Sequence, residues 1–228
     1  MPFSADLIPR ILQIILIDLV LSGDNAVVIG MAAHPLPPRQ RQVAIIFGGA
    51  AALALRVGLT AVAALLLGLP ALKAIGGLLL LWIAYRLLQV EESGDGTAKQ
   101  ATTLRGAIGT ILVADFVMSL DNVLGVAAAS NGDVSLLLFG LVVSMAIVMI
   151  GGGIFAQLID RLWWLAYVGA LIISYTGVDM VLEDSLVHGA VELPMLAHWL
   201  IGGVVSVAVV ALAHQVHRRQ PALQRSAR

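Results

Sequence analysis

Residues 18–25 read Asp18-Leu19-Val20-Leu21-Ser22-Gly23-Asp24-Asn25, in the middle of an otherwise apolar run from Leu7 to Ala33. A run of that length can cross a bilayer as a helix, which takes about 20 residues. Acidic groups are costly there, at about 2.5–3.5 kcal/mol for each central Asp on insertion scales. The pattern is repeated: residues 115–122 read Asp115-Phe116-Val117-Met118-Ser119-Leu120-Asp121-Asn122, inside the apolar run Gly106–Ser130. Asp, Ser, Asp and Asn match in register, 97 positions apart.

Around these runs lie five more: Val43–Leu69, Ala71–Leu88, Ser135–Ile159, Trp163–Leu182 and Met195–Val216. Pro35, Pro37 and Pro38 end the first run because proline cannot donate the helical hydrogen bond. Pro70 parts the second from the third, and Asn131-Gly132-Asp133 is a turn signal. The runs are continuous rather than alternating, so a barrel is not expected. The fold expected is an all-α polytopic membrane protein of seven spans. Sixty per cent of the 228 residues are hydrophobic and 12% charged, with mean hydropathy +0.98. A soluble domain runs at about 45–50% apolar and about 25% charged, which excludes a soluble enzyme and a disordered chain. A net charge of −1 supplies no cation excess for nucleic acid. Cysteine is absent, which removes disulfides, thiolate metal sites and a thiol nucleophile. The first run lacks a basic leader and contains Asp18 and Asp24, so it is expected to remain as a span rather than serve as a signal peptide.

A weaker echo, Gly76–Ala84 against Gly169–Gly177, extends the repeat to the third and sixth spans. The plan is then residues 7–90 as repeat 1, a cytoplasmic linker at 91–104, repeat 2 at 105–182, a seventh span at 195–217 and a basic tail at 218–228, in one membrane domain. Three spans per unit is odd, so the second copy enters from the opposite face. Inverted repeats are a plan of secondary transporters, with the site near the midplane. Placing the C-terminus inside puts ten of the 13 Lys and Arg on the cytoplasmic side. Only Arg10 and Lys73 are then outside, and Arg56 lies within a span. The expected orientation is N-terminus out, C-terminus in.

At about 100° per residue, Asp18, Ser22 and Asn25 share one helical face, as do Asp115, Ser119 and Asn122. Asp24 and Asp121 fall about a third of a turn away, and an unwinding at Ser22-Gly23 is expected to bring Asp24 inward. Carboxylates with amide oxygens form a hard-oxygen set suited to Mg²⁺, Ca²⁺ or Mn²⁺, with Ser22 and Ser119 in support. Protons compete for the same groups, so metal–proton antiport is the mechanism expected. Arg56 has two readings, a counter-charge to one Asp or a structural, snorkelling arginine. Asp179 has two readings, interfacial or a member of the ion path, and so has the His214/His217 pair, an interfacial anchor beside Arg218 and Arg219 or a ligand pair. His34, His188 and His198 have no partner visible in the sequence. Gly106/Gly109, Gly151–Gly153 and Gly202/Gly203 read as small-residue packing faces.

The SGDNAVVI and MSLDNVLGV segments, placed in the first and fourth spans, resemble the paired DN motifs of the TerC family of integral membrane proteins, closest to its YjbE-type branch. The resemblance covers about Leu7 to Leu182. It implies a bacterial inner-membrane protein of manganese export or handling. Its metal positions fall on Asp24, Asn25, Asp121 and Asn122, with Asp18 and Asp115 as further acidic positions. The function expected is a non-enzymatic exporter of a hard divalent cation, Mn²⁺ by the resemblance, carried as transported ligand with no prosthetic group. Its partners are the metal ion and the lipid bilayer, with a homo-oligomer or a membrane-protein partner left open. The alternatives are a membrane scaffold that delivers metal to exported proteins and an intramembrane aspartyl enzyme.

Overall fold

The computed structural model describes residues 7–66, 71–92, 103–129, 134–190 and 194–226. The breaks expected at Pro70 and Asn131-Gly132-Asp133, and most of the 91–104 linker, lie outside the described residues. The chain forms helices α1 (Leu7–Ala33), α2 (Pro38–Leu66), α3 (Leu72–Glu92), α4 (Leu104–Ala129), α5 (Val134–Ile159), α6 (Leu165–Leu182), α7 (Ser185–Ala190) and α8 (Met195–Ser226). No strand occurs among the described residues. Among the described residues six helices (α1, α2, α3, α5, α6 and α8) are long and apolar enough to cross a membrane. The 26-residue α4 carries Asp115 and Asp121.

Helix ends follow the local chemistry. The prolines stop α1 at Ala33, and Pro38 then opens α2, where its missing N–H would have had no partner anyway. The connection between the apolar runs Trp163–Leu182 and Met195–Val216 contains α7. The last helix does not stop near Val216 but runs on to Ser226 through the basic tail.

The helices pack in a paired pattern. α1 lies against α5, α2 against α4 and α3 against α6, while α1 and α4 meet at the centre. Small residues allow the approach. A Cβ on Gly152 of α5 would come within 2.6 Å of Ile29 Cγ2 on α1. A Cβ on Gly77 of α3 would fall on the carbonyl oxygen of Gly177 on α6, and one on Gly177 would meet that of Gly77 at 2.7 Å. The packing faces expected at Gly109 and Gly203 do not form, since a Cβ at either would meet nothing within 4 Å. Gly202 does pack closely, against Tyr175. Leu16, Val20, Phe47, Ile150 and Val204 are exposed, as lipid-facing side chains are. α8 lies at the edge against α3 and α6.

Two polar ties hold the ends together. At one end the Arg41 guanidinium donates to Asp160 at 2.7 Å and to the His34 carbonyl at 2.7 Å, joining the α1–α2 and α5–α6 connections. His34 Nε2 lies 2.8 Å from the same Asp160. The Arg41 hydrogen bond, with His34 beside it, holds the Asp160 carboxyl below the usual range despite some desolvation. At the other end the Ala74 N–H donates to Asp184 at 3.0 Å. Burial pushes the Asp184 carboxyl up, but N–H groups of Leu186, Ala74, Ala71 and Lys73 outweigh it and leave it low. Ala71 supports this turn at φ 64°, a left-handed conformation that is unfavourable for a residue with a Cβ.

Candidate metal and proton site

α1 and α4 present their polar faces to each other at the centre of the bundle. Asp18, Ser22, Asn25, Asp115, Ser119 and Asn122 are all buried, as the helical spacing predicts. The two motif copies interlock. Asn25 Nδ2 donates to Asp115 Oδ1 at 2.8 Å, from the first copy to the second. Asn122 Nδ2 donates back to the Leu21 carbonyl at 2.9 Å and to Ser22 Oγ at 3.2 Å. Ser119 Oγ reaches Asp115 Oδ2 at 3.3 Å, and Ser22 Oγ is 3.4 Å from Asp18 Oδ1.

Arg56 of α2 enters this interface and bridges both copies. Its Nη1 donates to Asp18 Oδ1 at 3.0 Å and to Ser22 Oγ at 2.8 Å, and its Nη2 donates to Asp115 Oδ1 at 2.6 Å. The arginine is 2% exposed, so it does not snorkel. It is a counter-charge to two carboxylates rather than one. An aspartyl dyad would place a shared proton between two such carboxylates; here a guanidinium lies between them.

Asp24 lies elsewhere. The unwinding expected at Ser22-Gly23 does not occur, because α1 is continuous from Leu7 to Ala33. A regular helix therefore keeps Asp24 off the face of Asp18. Its Oδ2 accepts from Thr176 Oγ1 of α6 at 3.2 Å. Among the described residues its Oδ1 is buried without a hydrogen-bond partner, and so is Oδ1 of the adjacent Asn25. The side chain of Asp121 lies outside the described residues. Among the described residues no three His, Asp or Glu side chains converge closely enough to hold a metal ion. Arg56 fills the space between Asp18 and Asp115, so a cation shared by the two motifs requires it to release at least one carboxylate.

Two side chains of the site escaped the sequence reading. Ser144 of α5 donates a short hydrogen bond to Asp18 Oδ2, and Thr176 binds Asp24. Ser144 is an isolated hydroxyl in the apolar stretch Leu141–Met149, which was its one visible signal. Two histidines besides His34, which meets Asp160, also gain partners. His198 Nε2 donates to Asp179 at 2.6 Å, and His214 Nδ1 pairs with the Tyr167 hydroxyl at 3.1 Å. The side chains of His188 and His217 lie outside the described residues.

The model of the integral membrane protein TerC family matches residues 3–221. The chain belongs to the TerC family. This TerC-family chain is 43% identical over 199 residues to membrane protein YjbE of Bacillus subtilis (strain 168), covering 84% of this chain and 91% of that relative. It is 24% identical over 224 residues to membrane protein YceF of the same organism, covering 94% and 85%. It is also 23% identical over 190 residues to inner membrane protein YgdQ of Escherichia coli (strain K12), covering 76% and 80%. No solved structure matches it significantly. The chain is thus a multi-pass membrane protein whose relatives are bacterial membrane proteins.

Proposed function

We propose that this TerC-family chain is a secondary transporter that exports a hard divalent cation, Mn²⁺, across the bacterial inner membrane in exchange for protons. The reading takes seven spans as two inverted triplets, α1–α3 and α4–α6, followed by α8. The packing supports it: exchanging the triplets turns the α1–α5 contact into α4–α2 and maps the α3–α6 contact onto itself. The Arg41–Asp160 tie is then cytoplasmic and the Ala74–Asp184 tie outer, with the N-terminus out and the C-terminus in.

The observation that carries the reading is a pair of buried oxygens on consecutive residues, Asp24 Oδ1 and Asn25 Oδ1, that have no hydrogen-bond partner among the described residues. A buried acceptor without a donor costs about 1–3 kcal/mol, more when charged. A hard cation bound at either oxygen supplies the missing partner, and oxygen donors without thiolates fit Mn²⁺ chemistry. The two motifs hold four acidic residues, Asp18, Asp24, Asp115 and Asp121, and Arg56 engages two of them, Asp18 and Asp115. Metal entering from the cytoplasm recruits Asp24, Asn25, Asp121 and Asn122. Arg56 then swings from one motif carboxylate, and protons replace the metal after its release outside. Rocking of one triplet against the other alternates access.

Mn²⁺ uptake into sealed inverted vesicles tests this, comparing wild type with Asp24→Asn and Asp121→Asn, each checked for folding by its melting curve. Wild type accumulates Mn²⁺ under a proton gradient and the variants lose about tenfold or more, a loss of about 1.4 kcal/mol. Equal uptake by all three overturns the reading.

A further inference from the structure

A second group of titratable side chains lies at the outer ends of α6 and α8, away from Arg56. Glu183, the C-cap of α6, follows Asp179 by one turn, and His198, in the first turn of α8, donates Nε2–H to Asp179 Oδ1 at 2.6 Å. With Tyr175, Met195 and Trp199 they line an open cavity of about 450 Å³. A second cavity, of about 340 Å³, lies farther along the α6–α8 interface and is lined by Thr176, Ser206 and apolar side chains. Tyr175 lines both. Thr176, in the wall of the inner cavity, is the residue whose hydroxyl donates to Asp24. Positions 183, 179 and 176 follow a helical i, i−4, i−7 spacing, so they share one face of α6. Thr176 thus lies on the same side as Asp179 and Glu183, at the end nearer the first motif.

The chemistry of the outer group favours a proton over a metal. Asp179, Glu183 and His198 do not converge closely enough to hold an ion. A cation already engages Glu183, through Lys73 of α3 at 3.3 Å. The titratable groups that line the cavity with the imidazole are Asp179 and Tyr175 of α6 and Glu183, the residue that caps it. An imidazole has two ring nitrogens, so it takes up a proton at one and gives one up at the other. We propose that the Asp179–His198 pair loads protons from the outer aqueous phase and passes them into the α6–α8 cleft that ends at Thr176. The step moves one proton from external hydronium to the imidazole nitrogen, which releases it to water in the cleft. Only N–H and O–H bonds form and break, and the pair is regenerated. The inference rests on the proton-exchange reading above and names the residues that serve its outer side.

The test uses the full chain in proteoliposomes with two assays: Mn²⁺ flux driven by a pH gradient, and exchange of labelled for unlabelled Mn²⁺ at equal pH, which needs no proton. Asp179→Asn and His198→Gln, which both keep hydrogen-bonding groups, lower the gradient-driven flux about tenfold or more and leave Mn²⁺–Mn²⁺ exchange unchanged. Wild-type rates of gradient-driven flux in both variants overturn the inference, and so does equal loss of both fluxes, which marks a structural tie between α6 and α8. If wild type exchanges Mn²⁺ but ignores the gradient, the failure belongs to proton exchange itself and the inference falls with it.

Discussion

Arg56 donates to Asp18 and Asp115 from a position 2% exposed, so each of the three charges depends on the other two. Breaking a buried pair by removing one partner costs about 3–5 kcal/mol, because the remaining charge is left without compensation. Arg56→Leu is accordingly expected to lower stability by about that amount, measured by thermal unfolding in detergent. Adding Asp115→Asn to Arg56→Leu is expected to recover part of the loss, since it removes one stranded carboxylate. Full stability in Arg56→Leu contradicts the bridge. The carboxylates and amides of this cluster were legible in the sequence, because acidic residues repeated in register inside two apolar runs must turn away from lipid and toward each other or a ligand. The role of Arg56 was only half legible. A span position shows that an arginine is buried or snorkelling, but not which carboxylates a neighbouring helix brings to it.

At the scale of the helix, the continuity of α1 replaces the break expected at Gly23. Glycine lowers the cost of unwinding but does not require it, and the i→i−4 bonds of a membrane helix have no water to replace them. Gly23 is exposed and a Cβ there would meet nothing within 4 Å. Gly23→Ala is therefore expected to keep full stability or gain up to about 1 kcal/mol from helix propensity. Gly77→Ala has the opposite sign, because its Cβ would fall on the backbone oxygen of Gly177 and force α3 away from α6. Melting curves of the two variants check both; a loss in Gly23→Ala and none in Gly77→Ala contradicts the packing. Spans were readable because apolar length is a one-dimensional signal. The close contact of Gly77 with Gly177 was not, since each glycine's role is set by a helix from the other half of the chain. The same holds for Gly109 and Gly203, small residues whose spacing suggested contacts that no neighbour supplies.

Across the whole molecule, the ties at the two ends join residues far apart in sequence, Arg41 to Asp160 and Ala74 to Asp184. The carboxyl of Asp160 is held below its usual range by Arg41, so its contribution is present above the ordinary carboxylate pKa and is lost as pH falls through the lowered value. The Asp160 side chain is 48% exposed, which limits the contribution to about 1 kcal/mol at most. Asp160→Asn is expected to melt slightly below wild type at neutral pH and to converge with it on acidification. A gap that persists at low pH contradicts this origin. The orientation of these ends came from counting cations; the ties themselves could not be read, because the residues between their partners carry no sign of the pairing.

The central claim is that the oxygens of the two motifs bind a hard divalent cation. The most direct measurement is titration of the purified full chain with Mn²⁺, following the paramagnetic signal of the free ion. Wild type is expected to withdraw Mn²⁺ from solution, with affinity that weakens as pH falls, and Asp24→Asn to weaken binding by about tenfold or more. Identical binding curves for the two proteins, or no binding by wild type at neutral pH, would contradict it.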